Sequence, residues 1–141
     1  MVKSFAIGLP VFLLLDALWL GFISNRFYAT QLGPWLRKSS DGAMAPYWTP
    51  ALLFYVLVVA GIAAFVVPRV VAGGGSLAAA LGWGALFGVV VYSAWDLTNY
   101  SVFRDWPLAV TVADMAWGAM VCALTTVAIT VGTRWLGSAG A

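Results

Sequence analysis

Glutamate and histidine are absent from this sequence, and charge of either sign is scarce, with five acidic and seven basic side chains in 141 residues. Without histidine there is no usual haem ligand and no imidazole base for a serine or cysteine triad, and Cys122 or a methionine alone is a weak substitute. A single cysteine excludes an intramolecular disulfide and a thiolate-rich metal site; set in an apolar run, Cys122 reads as a small buried hydrophobe. Seven dispersed Lys and Arg make no basic face, so nucleic acid is not a partner. Gly73–Ser76 lacks the strand and lysine of a phosphate loop and reads as a flexible turn. No catalytic residue and no cofactor are implied.

What remains is apolar: 63% of the chain is hydrophobic, too little charge to clothe a soluble globule. The intervals between charges have the length of about 20 residues that a bilayer requires. They predict four spans, about 5–24, 51–70, 77–98 and 108–131, in one transmembrane domain covering 1–141. A membrane obliges each segment to satisfy its own backbone, and these lengths exceed a barrel strand, so the spans are helices. The predicted fold is all-α, a membrane-embedded antiparallel four-helix bundle with the lipid bilayer as its first partner. Asp16 and Trp19 interrupt the first apolar run and no small-x-small site follows, so that run is expected to be retained rather than cleaved. Residues 25–50 form an interfacial connection in which Phe27, Tyr28, Leu32, Trp35 and Leu36 alternate with polar groups, compatible with a short helix that Gly33 and Pro34 would interrupt or with an aromatic-lined loop. The other connections are short and force antiparallel hairpins. Lys3, Arg69 and Arg134 fall on one face and Arg26, Arg37, Lys38 and Arg104 on the other, which leaves no positive-inside bias. Both termini share a side.

Three acids interrupt the spans. Counting 1.5 Å per residue from the span ends, Asp16 lies roughly 12 Å, Asp96 roughly 5 Å and Asp114 roughly 10 Å inside the boundary on which spans one and three exit and span four enters. Connectivity alone therefore puts all three in one half of the membrane. Asp16 and Asp114 are each followed three residues later by an indole, Trp19 and Trp117, on nearly the same helical face. An indole N–H could donate to an acid of another helix while its ring shields the polar layer. Trp95 is expected to help seal this layer, and Arg26 and Arg104 to reach inward from the boundary, with Asp96 the easiest acid to pair. Tyr92 and Asn99 complete the candidate site. Thr98 and Asn99 are expected to end the third helix, with Asn99 alternatively turned into the acid layer; Asp105 is read as a cap of the fourth helix or a partner of Arg104. Gly84 and Gly88 form a small face that continues toward Tyr92 and Asp96.

LLLDALWLG, PALLFY, the FVVP exit, GALFGVVVYSAWDLTN and DWPLAVTVADMAWG together resemble the bacterial family of small membrane proteins known as domain of unknown function 2177, over about residues 12–120. The resemblance implies a four-span membrane protein of the bacterial cytoplasmic (inner) membrane. It places Asp16, Trp19, Asp96, Asn99, Asp114 and Trp117 in the family's patterns and implies no activity. Where the family more often has Tyr before the DLTN acid, this chain has Trp95.

Three functions follow from these residues. A carboxylate cluster can bind a proton or cation and support coupled transport, since clustered like charges oppose simultaneous ionisation. It can instead pin the bundle together in a noncatalytic assembly or scaffold component. A metal-dependent enzyme acting on a lipid is the third, and the chain is expected not to be an enzyme because no ligand run accompanies the acids. A transport route through so small a bundle could call on a homodimer, for which the glycine-bearing third helix offers a contact. The ligand classes are thus a proton, a cation or a lipid; no metal is identified.

Overall fold

The computed structural model describes residues 1–33, 35–40 and 44–138, so the expected interruption at Pro34 lies outside the described residues. Six α-helices run in the order α1 Val2–Leu18, α2 Asn25–Gln31, α3 Trp48–Gly61, α4 Val67–Ala72, α5 Leu77–Val102 and α6 Leu108–Ser138. A π-helical turn, Trp19–Ile23, prolongs α1, and a second, Ile62–Val66, joins α3 to α4. Four continuous rods result, Val2–Ile23, Trp48–Ala72, Leu77–Val102 and Leu108–Gly137, each long and apolar enough to cross a membrane. Among the described residues there is no sheet, only an isolated bridge between Lys38 and Met44.

The second rod passes through Pro68 rather than stopping at it. A proline ring collides with the carbonyl four residues earlier, here Ala64, and the π turn around that residue widens the backbone enough to carry the helix on. Between the second and third spans Gly74 and Gly75 take φ of 80° and 71°, a left-handed pair that reverses the chain, and Arg134 donates to the Gly75 carbonyl. Ser76 then caps α5, its hydroxyl accepting from the Ala79 amide at 3.1 Å. At the other end α5 runs on to Val102, so Thr98 and Asn99 lie within it instead of ending it. Asp105 turns the chain into α6 with φ 61°, a conformation aspartate tolerates better than most residues.

The most extensive packing joins α5 to α6. A Cβ at Gly88 would land on the Gly118 carbonyl oxygen, and one at Gly84 would lie 2.7 Å from the Ala123 backbone. Gly118 in turn leaves the space that the Tyr92 ring fills. The Gly84 and Gly88 face of the third span is therefore packed against α6 within the chain. The polarity of the bundle is inverted relative to a soluble protein: Phe22, Leu57, Phe65 and Leu124 point outward, while Asp96, Thr111, Thr125 and Thr126 are fully buried. Thr126 and Thr130 return their hydroxyls to carbonyls of their own helix, at 2.7 and 2.8 Å. Apolar surface outside and polar groups inside suit a hydrocarbon solvent, and the chain is an integral membrane protein.

Candidate functional site

Two hydrogen-bonded routes cross the bundle where the sequence puts its acids. Asp16, on α1, accepts from the Trp117 indole of α6 at 2.9 Å and from the Tyr55 phenol of α3 at 2.6 Å, so one carboxylate ties three spans together. Asp114, on α6, accepts from the Tyr28 phenol of α2, and that phenol oxygen accepts from the Trp19 indole at 3.2 Å. The two Asp-x-x-Trp segments thus serve one another crosswise, Trp117 directly and Trp19 through Tyr28. Their rings stack face to face, centroids 4.5 Å apart and 5° from parallel.

Asp96 differs from both. It is completely buried, and neither carboxylate oxygen has a hydrogen-bond donor among the described residues. The side chain that bears on it is Asp114, close enough for each carboxyl group to act on the other's charge. Two ionised carboxylates at that separation repel, whereas one proton between them makes a hydrogen bond. Asn99 follows one turn after Asp96, buried on the same face with its amide nitrogen unpartnered. Tyr92 is half-buried, set edge-on to Phe54 with centroids 5.9 Å apart.

The residues converge on a cavity of about 350 Å³ whose wall includes Asp16, Asp114, Tyr28, Tyr55 and Tyr92, with Trp19 and Trp117 at its side. Asp96 stands behind Asp114 rather than on that wall. Among the described residues, no group of three or more acids or cysteines is arranged to hold a metal ion.

Two sequence expectations are corrected, and two partners are added. Arg26 and Arg104 are exposed, and the donors to Asp16 and Asp114 are phenols and indoles instead, which bring hydrogen bonds without an additional buried charge. Trp95 is 65% exposed and seals nothing over the acids; adjacent to Asp96 on a helix, it points about 100° away from the inward face by the 3.6-residue repeat. It lines an aromatic hollow with Trp35, Phe103 and Trp106, which Asn99 also borders. Tyr28 and Tyr55 are the partners that the sequence reading passed over. The clue to Tyr55 is its isolation, the one hydroxyl between Pro50 and Pro68; Tyr28 sat among interfacial aromatics with nothing to distinguish it.

Burial and the neighbouring Asp114 push the Tyr28 phenol well above its usual range, against a smaller lowering by the Trp19 N–H. The sign is fixed by the two states. In the unfolded chain this phenol ionises near pH 10, whereas the folded chain keeps the proton, so its contribution is whole below about pH 10 and is lost as pH rises beyond it. Thermal melting of the detergent-solubilised protein should fall with pH above about 10, and Tyr28→Phe should reduce that slope.

The family model described as "Predicted membrane protein (DUF2177)" matches residues 1–131. No curated protein and no solved structure matches the chain.

Proposed function

The chain belongs to this family of predicted membrane proteins, and from that premise we propose that it is a small proton-coupled binding protein, carrier-like rather than catalytic, of the bacterial inner membrane. The observation that carries the reading is Asp96, buried with no donor among the described residues and set beside the Asp114 carboxylate. An acid kept for stability alone would have been given donors, as Asp16 has been. Asp114 also borders the cavity, so a ligand there touches one member of the pair directly. Occupancy and protonation are then linked through a single carboxylate: a cationic or donor group beside Asp114 favours its ionised form and hands the proton to Asp96 or to water. The other titratable groups facing the pair are Tyr28 from α2, Asp16 from α1 and Tyr92 from α5 itself. Helical spans, rather than barrel strands, support the inner membrane as location.

Infrared difference spectra of the protein in lipid nanodiscs, taken between acid and alkaline buffer, test the reading. A protonated-carboxyl band should appear that Asp96→Asn and Asp114→Asn each remove and Asp16→Asn leaves in place. Absence of the band from the native protein, or its survival in both Asp96→Asn and Asp114→Asn, sinks the proposal.

A second reading has its own observation. The Asp16 carboxylate, with both oxygens bonded to donors from two other spans, is what a clamp in a noncatalytic assembly component requires. The two readings divide the acids between them rather than competing for the same one.

A further inference from the structure

The acid-bordered cavity does not end at the bundle interior. A second cavity, of about 550 Å³, lies between the first and second spans and shares Leu20, Met44, Ala51 and Tyr55 with it. Its outer wall reaches Leu52 and Trp48, which are 50% and 65% exposed on a helix that faces lipid. The two cavities adjoin at Ala51, and joined there they would make one passage from the hydrocarbon phase to Asp114.

We propose that this passage admits a single-chain amphiphile with a protonated amine head, the head resting beside Asp114 and Tyr92 and the chain lying between the first and second spans. The inference rests on the proton-linked reading in using the same cavity as the binding site, and adds the ligand class and the route of entry. Among the described residues no lysine or arginine lines either cavity, so a phosphate or carboxylate head would meet acids and no cation there. Both Asp16 oxygens are already bonded to Tyr55 and Trp117, whereas Tyr28 donates to only one Asp114 oxygen, which leaves the other Asp114 oxygen to receive a cation. Phe54 and Tyr92 line the same cavity as Asp114, and aromatic rings favour an ammonium group over a neutral or anionic head. The chain itself cannot supply selectivity, because moving a hydrocarbon tail from lipid into an apolar groove exchanges like for like. Discrimination must come from the head.

The test uses the full chain in phosphatidylcholine nanodiscs and a long-chain alkylamine carrying a diazirine. Photolabelling should saturate, fall on peptides of the first and second spans, and be competed by dodecylamine at least tenfold better than by dodecanoate or dodecanol. Ala51→Phe, which fills the section shared by the two cavities, should reduce labelling tenfold in protein that still melts cooperatively. Asp114→Asn should keep the labelled peptides and lose the preference for the amine. Equal competition by dodecanoate, unsaturable labelling, or full labelling of a folded Ala51→Phe protein overturns the proposal. Those outcomes with the infrared band intact reject the ligand and its route alone; loss of the band from the native protein rejects the proton reading beneath it.

Discussion

Gly88→Ala is expected to lower stability by about 3 kcal/mol, the upper end of the usual cost of overpacking, whereas Gly82→Ala on the same helix should change it by no more than about 1 kcal/mol and in the favourable direction. The contrast follows from what a methyl group would meet. At Gly82 nothing lies within 4 Å; at Gly88 the methyl would occupy the position of the Gly118 carbonyl oxygen. That obstacle is backbone and cannot rotate aside, so α5 and α6 must separate along their length. Separation also withdraws Asp96 from Asp114, since Gly88 and Asp96 are two helical turns apart, about 12 Å along the axis. The substitution should therefore weaken the carboxyl infrared band together with the fold. Denaturant titration in mixed micelles, followed by circular dichroism, reads the first effect, and a Gly88 variant as stable as Gly82→Ala would contradict the close approach of the two helices.

The spans were legible in the sequence because hydrocarbon imposes a length that few other contexts do, and long intervals without charge leave little alternative. That Asp16 and Asp114 meet at one level of the bundle was legible for a related reason: antiparallel connectivity sets depth before any packing is known. Depth did not reveal direction. Whether an acid is met by a guanidinium or by a phenol depends on how helices rotate about their axes, and rotation is set here by glycine contacts such as Gly88 on Gly118 and by Tyr92 in the space beside Gly118. Trp95 illustrates the limit, since the same sequence position that made it a neighbour of Asp96 along the chain turned it away in space. The π turns were equally hidden, although Pro68 offered a hint, because a proline inside an apolar run can end a helix or be absorbed by a wider turn. Hydropathy does not distinguish the two outcomes.

Asp16 and Asp96 are both buried acids in the same layer, and opposite stability effects are expected on removing them. Asp16→Ala strands the Tyr55 phenol and the Trp117 indole without an acceptor, and its expected cost is about 2–3 kcal/mol, from about 1–3 kcal/mol for each stranded donor less what local relaxation and water recover. Trp117→Phe made in the Asp16→Ala background should then cost less than in the native protein, because the bond it would break is already gone. Asp96→Asn strands no donor, since none addresses either oxygen. It instead replaces a carboxylate by a neutral amide that can donate to Asp114, and its expected effect is a gain of about 0.5–2 kcal/mol, the range typical where a protein gives up a functional group held at a cost. Equilibrium unfolding of the variants in micelles near neutral pH measures both. Loss of stability on Asp96→Asn as large as on Asp16→Ala would make Asp96 a second clamp and remove the reason for reading its unpartnered carboxylate as a proton site. A gain, accompanied by disappearance of the carboxyl band, would separate the acid that holds the helices together from the acid that the bundle is built to carry.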